Sequence, residues 1–209
     1  VEADPDGEGD GTYPEPRVIH IRYRSLFDED LPYLHSEVKL EVGARSLLEP
    51  TADAVVKSIL EEELPISTTV KQLAIPTAVA EKTFLEKAFL LHELFSSQLP
   101  REANRKSRHL YDLAQMMNTD IAARAIANDE LWNTIHHHRE LVTSISGVDY
   151  TPDIRKRIRL VPPKDVIDDW GNDYKDMQLS MIYGEKPTFD ELISKMIELE
   201  NYFHDIVSI

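Results

Sequence analysis

The sequence predicts an α+β fold, with a partial sheet over residues 1–76 and a mostly helical domain over residues 77–209. Segments with alternating or β-branched patterning lie before Pro76, and the chain after it reads as helices joined by loops. A length of 209 residues can bury a real core. With 42% hydrophobic and 29% charged residues the chain reads as globular and not disordered.

The first expected strand is RVIHIRYRSLF (17–27), in which Val18 or Ile19 alternates with polar neighbours. The second, SEVKLEVGAR (36–45), alternates strictly, Val38, Leu40 and Val42 against Glu37, Lys39 and Glu41. EPTADAVVKSILEEEL (49–64) is expected as a short helix with Val55, Val56, Ile59 and Leu60 inward. STTVKQLAI (67–75) is β-rich and is expected to stop at Pro76.

Beyond Pro76 the first helix carries a clear stripe. At about 100° per residue, Phe84, Ala88, Leu91 and Phe95 fall within about 60° of arc. Lys87 falls between Leu91 and Leu94, on the apolar side, whereas Lys82, Glu86 and Glu93 are expected on the solvent side. Further helices are expected through YDLAQMM, from Asp120 to about Ile145, and over PTFDELISKMIELENYFHDIV. In the last, Thr188 and Glu191 have capping-box spacing, with Phe189, Leu192, Ile193, Met196, Ile197 and Phe203 as the stripe.

A formal net charge of −15 excludes a protein that coats nucleic acid through its overall field. Two basic islands stand out locally, REANRKSR (101–108) and RKRIR (155–159). The absence of cysteine excludes disulfides, zinc–thiolate sites and thiol nucleophiles, and it is compatible with the reducing cytoplasm, the expected location. No apolar run is long enough to span a membrane, so no membrane partner is expected. The chain opens with VEADPDGEGDG, which lacks a signal-peptide layout. Val1 is not an initiator methionine, so the chain is expected to be part of a longer protein.

Several patterns invite a ligand. DPDGEGDGTYPE places Asp4, Asp6, Glu8, Gly9, Asp10 and Glu15 at positions of a calcium loop, but Gly11 and Pro14 oppose it and a flexible acidic turn is expected. In IHHHRE (135–140) neighbouring residues of a helix diverge by about 100°, so the three histidines cannot share one ion. Glu41 projects from a strand beside Lys39; such a carboxylate can hold a divalent ion, or it can belong to an exposed sheet face.

Lys87 is the most informative residue. An unpaired buried ammonium is costly, so it must snorkel, meet a carboxylate such as Asp112, or face a cleft that receives an anion such as phosphate. Arg108 and Asp112 stand four apart and can alternatively form a surface pair contributing only tenths of a kcal/mol.

The order LEVGAR, TFLEKAFLLHEL, RHLYDLAQM and DWGNDYKDMQLSMIYGEKPTFDELISKMIELE resembles the AbiEii/AbiGii toxin family, nucleotidyltransferases of type IV toxin–antitoxin and abortive-infection systems. The resemblance implies a polymerase-beta-like nucleotidyltransferase domain followed by a helical domain, with a cleft between them. It also implies a Gly-Ser or Gly-Gly motif followed by an Asp-x-Asp pair that binds magnesium and the triphosphate. No such motif precedes RVIHIRYRS, so this chain alone is expected to be inactive, as a fragment or a degenerate member. By the same resemblance, Glu41 matches the third acidic position, beside magnesium. Lys87 matches the lysine that touches nucleotide phosphates, and Asp112 the aspartate of the helical motif, with a role in positioning or proton transfer. Arg108 is their nucleotide-binding companion, and His109 stands where many members carry an aspartate or another polar residue.

The implied activity is metal-dependent nucleotidyl transfer from a nucleoside triphosphate to an acceptor such as tRNA, in a toxin with an antitoxin protein as partner. The alternative is a non-catalytic helical module that binds a partner protein. A calcium-dependent adaptor is the remaining reading, through Asp4 to Glu15.

Overall fold

The structure is a computed structural model that describes residues 2–4, 17–26, 35–43, 47–57, 63, 73–98, 101–151 and 153–205. Strands β1 (Glu2–Asp4), β2 (Arg17–Arg22) and β3 (Glu37–Val42) form an antiparallel sheet in the order β1-β2-β3. Strands β4 (Thr51–Val56) and β5 (Leu73–Ala78) form a separate antiparallel pair. The helices follow as α1 (Ala80–Ser96), α2 (Arg108–Met117), α3 (Ile121–Ala127), α4 (Asp129–Val142), α5 (Ile167–Ser180) and α6 (Phe189–His204). A 3-10 turn at Ile154–Arg157 lies between α4 and α5. The architecture is therefore α+β, with two small antiparallel sheets ahead of the helices.

Register decides what the first sheet presents. His20 pairs with Lys39, Val18 with Glu41 and Arg22 with Glu37, so these residues share one face. Ile19, Ile21, Val38, Leu40 and Val42 share the other. The polar face is the one turned toward the helices, where His20, Glu37, Lys39 and Glu41 line a cavity with residues of the bundle. The apolar face stays open, with Leu40 44% and Val42 62% exposed.

Two expectations fail in the second sheet. Residues 51–56 form β4 and not a helix, with Val55 and Val56 both exposed, while Ile59 and Leu60 lie outside the described residues. Pairing with β5 satisfies the backbone groups of TADAVV that face it, and that tertiary gain overrides a weak local helical pattern. The expected strand over 67–75 runs instead over Leu73–Ala78, through Pro76, which pairs with Asp53; residues 67–72 lie outside the described residues. A two-stranded sheet consists of edge strands, where a missing N–H is tolerated.

Helix α1 packs against α2, α3 and α4. The stripe of Phe84, Ala88, Leu91 and Phe95 is buried as expected, and Leu85 and Phe89 are buried beside it. Burial thus extends past the expected face, and Lys82 (3% exposed) and Glu93 (2% exposed), placed by the sequence on the solvent side, lie inside. A one-sided wheel suits a surface helix, whereas this helix has neighbours around most of its circumference. Each buried charge has partners. Lys82 Nζ donates to the carbonyls of Leu47 and Leu48, and Glu93 accepts from Arg139 Nε at 2.8 Å and from the Tyr150 hydroxyl at 2.8 Å.

The expected long helix from Asp120 divides into α3 and α4 at Asn128, whose side chain accepts the Leu131 N–H at 3.0 Å as the cap of α4. In α6 the capping box forms, Thr188 Oγ1 accepting the Glu191 N–H at 3.2 Å and Glu191 Oε2 accepting the Thr188 N–H at 2.6 Å. Its buried line is Leu192, Met196, Leu199 and Phe203; Ile197, expected inward, is 48% exposed. Helix α5, which the sequence reading did not set apart, buries Trp170, Tyr174 and Met177. Aromatic contacts tie the bundle together, with Phe89 4.6 Å from Trp132, Trp132 5.5 Å from Phe203, and Phe95 edge-on to Trp170 at 4.8 Å.

Two stability predictions follow from the buried polar groups. Replacing Glu93 with Ala strands the Arg139 guanidinium and is expected to cost about 3–5 kcal/mol, read as a lower midpoint in urea unfolding. His92 is buried, its Nδ1 accepting the Arg159 N–H at 3.0 Å, and burial pushes its pKa from 6.5 down to about 4. Between those two pH values the unfolded chain holds a proton that the folded chain rejects, so stability is lost as pH falls from about 6.5 to about 4. Unfolding free energies measured across this window should fall less steeply on acidification in His92→Gln than in the wild type.

Candidate functional site

A cavity of about 800 Å³ lies between the first sheet and the bundle. The sheet contributes His20, Glu37, Lys39 and Glu41, and α1 contributes Leu90, Glu93 and Leu94. Arg105, Lys106, Arg108 and His109 come from the turn before α2 and its first residues, and Arg139 and Thr143 from α4 and its end. The wall thus carries more cationic than anionic side chains, although the chain as a whole is acidic.

Beside this cavity stands one of the pairings that the sequence left open. Lys87 Nζ lies 2.7 Å from Asp112 Oδ2, with the two side chains 21% and 38% exposed. Of the three outcomes open to a lysine on the apolar side, the meeting with a carboxylate is realised. Asp112 is on α2, one turn after His109, and His109 Nδ1 lies 3.4 Å from the same ammonium. Burial, then the neighbouring charges of Lys87 and Arg108, push the His109 pKa from 6.5 down to about 4, so the ring is neutral at pH 7. An ammonium only donates, so Nδ1 accepts there and the ring proton belongs on Nε2. Lys87 and Asp112 sit behind the lining; His109 joins them to it.

The other expected site residues are placed differently. Arg108 is exposed on the cavity wall and, among the described residues, forms no ion pair with Asp112, which is engaged by Lys87. Glu41 lies on the opposite, sheet wall, its Oε1 2.5 Å from Lys39 Nζ. No contact among the described residues joins Glu41 to Lys87 or Asp112.

A magnesium ion needs several oxygen ligands, and among the described residues no group of three or more histidine, aspartate or glutamate side chains is placed to hold a metal. Glu41 has an ammonium as its close neighbour. No chemical step is assigned to a metal. The histidines of α4 diverge as expected, His136 Nε2 meeting the Tyr150 carbonyl at 3.0 Å while His137 is exposed. Asp4 lies in β1, and residues 5–15 of the calcium pattern are outside the described residues.

Sequence reasoning missed Arg139 and Glu93. The Arg139 guanidinium lines the cavity and grips the Glu93 carboxylate through Nε and Nη2. Burial alone would lower the arginine's pKa, but the paired carboxylate raises it on balance. The signal was available: Arg139 continues the buried line Leu131–Ile135 at intervals of four, and Glu93 continues Leu85–Phe89. A charge that extends a buried line calls for the same question as Lys87.

No curated protein and no solved structure matches this chain. One family model does, described as nucleotidyl transferase AbiEii toxin of the type IV toxin–antitoxin system, over residues 2–195. That span includes both sheets, the Lys87–Asp112 pair and α6 as far as Lys195. The chain belongs to the AbiEii nucleotidyl transferase toxin family of type IV toxin–antitoxin systems.

Proposed function

We propose that this chain serves nucleotidyl transfer from a nucleoside triphosphate to an acceptor such as the end of a tRNA, as the toxin of a pair completed by an antitoxin protein. The observation that carries the reading is the ammonium of Lys87, held 2.7 Å from Asp112 beside a cavity whose wall carries more cationic than anionic side chains. An ammonium has three donors. One meets Asp112 and one points to His109, which leaves the third for a phosphate oxygen. In the transfer, an acceptor hydroxyl forms a bond to the α phosphorus and gives its proton to water, while the bond to the leaving pyrophosphate breaks. Charge grows on the phosphate oxygens as this happens, and a positioned ammonium stabilises that charge more than it stabilises the bound substrate. Asp112 keeps Lys87 in place, and Arg108 supplies positive charge on the wall where the triphosphate or the acceptor backbone would lie.

A second reading, a non-catalytic partner-binding module, is favoured by the open apolar face of the first sheet, where Ile21, Val38, Leu40 and Val42 are all exposed. Among the described residues no helix is long and apolar enough to cross a membrane.

The two readings part at Lys87. In the full-length protein, Lys87→Ala is expected to lower the rate of nucleotide incorporation into a tRNA pool by about 100-fold or more. The half-exposed pair is worth only about 1 kcal/mol, so the melting temperature should fall by about 2–4 °C. Incorporation that survives the substitution would overturn the role given to Lys87, and a wild type that incorporates nothing would favour the binding module. Arg108→Ala is expected to raise KM for the triphosphate by about tenfold, equivalent to about 1.4 kcal/mol, with kcat little changed in steady-state assays.

A further inference from the structure

Resting on the reading just given, we propose that Asp173 of α5 is a positioning residue for nucleotide binding, holding the basic turn 105–107 and the start of α2 against the cavity. Asp173 is not part of the cavity lining. Its Oδ1 accepts the Arg105 N–H at 2.6 Å, and its Oδ2 accepts the Ser107 N–H at 3.0 Å and the Ser107 hydroxyl. One carboxylate therefore collects three donors from the turn that leads into α2.

The arrangement replaces an ordinary helix cap. Ser107 precedes α2, yet it has helical backbone angles and makes no side-chain bond to the amides of that helix. It is fully buried, and its hydroxyl is turned to Asp173 instead. Arg105 has φ of +56°, the left-handed region that a non-glycine residue occupies only when its surroundings impose it, at a cost of about 1–3 kcal/mol. The bond from its own N–H to Asp173 helps to hold that conformation. One turn earlier on α5, buried Trp170 donates its Nε1–H to the Arg101 carbonyl at 3.3 Å, so a single face of α5 grips the turn region at both ends.

Function enters through what the turn carries. Arg105, Lys106, Arg108 and His109 line the cavity, and His109 and Asp112 further along α2 meet Lys87. Fixing the first turn of α2 sets the rotation of the whole helix, and with it the direction of these side chains. Asp173 thus acts on the anion through other residues, and its loss should loosen binding more than it slows the transfer step.

Asp173→Asn tests this in the full-length protein. An amide has a single acceptor oxygen and turns donors toward one of the two N–H groups, so it cannot hold both ends of the turn. Three measurements are made well below the melting temperature. They are tryptic cleavage after Arg105 and Lys106 followed by mass spectrometry, the affinity for inorganic tripolyphosphate by calorimetry, and KM and kcat for incorporation of nucleotide. The expected result is cleavage confined to this turn and about tenfold faster, with Kd and KM raised about tenfold and kcat within about threefold of wild type. Ser107→Ala, which keeps both backbone bonds, should stay close to wild type in Kd.

A lowered melting temperature with unchanged Kd is the result of a merely structural role and overturns the proposal. So does faster cleavage with unchanged Kd, or an Ser107→Ala variant as weak as Asp173→Asn. If wild type transfers no nucleotide while Asp173→Asn still weakens tripolyphosphate binding tenfold, the enzymatic reading falls and the positioning role stands.

Discussion

A helix buried around most of its circumference cannot leave its charged residues in water, and α1 sits in that position. Lys82, Lys87 and Glu93 each meet the constraint in a different way. Lys82 reaches the carbonyls that precede β4, Lys87 meets a carboxylate on α2, and Glu93 takes a guanidinium from α4 and a phenol from Tyr150. Each solution ties α1 to another part of the chain, so the cost of dehydrating charge is offset by contacts that set where neighbouring elements lie. The site grows from this arrangement. Among the three, the Lys87 ammonium is the one that stands beside the cavity with two of its three donors engaged among the described residues.

The first sheet reverses the usual sense of a half-buried strand. Strict alternation in EVKLEV ordinarily means apolar residues toward the core, but here the charged row of β3 faces the bundle and the aliphatic row faces out. The separation between sheet and helices is then a polar hollow in place of a packed core. That hollow is compatible with a site for a charged substrate, since its walls already hold charged and hydrogen-bonding groups in fixed positions.

Much of this was legible from the residues alone. The stripe of α1, the capping box of α6 and the odd position of Lys87 follow from helical spacing, and the family resemblance named Asp112 as well. β4 was misread because TADAVV mixes alanine with β-branched residues and has no clean period, so pairing with β5 decides its state. Glu93 and Lys82 were misplaced because a helical wheel knows nothing of how many neighbours a helix has. Asp173 was out of reach for another reason. Its partners are a turn 66 and 68 residues away, and chiefly backbone N–H groups, which every residue except proline possesses and which leave no mark in the order of side chains.

The uncovered aliphatic row of β2 and β3 has a colloidal consequence. A net charge of −15 keeps copies of the chain apart in dilute buffer, where repulsion extends tens of ångströms. At an ionic strength of about 1 M that reach shrinks to about 3 Å, and the oily surface is left to govern encounters between molecules. Concentrated salt therefore favours self-association through the sheet, while modest salt keeps the protein dispersed.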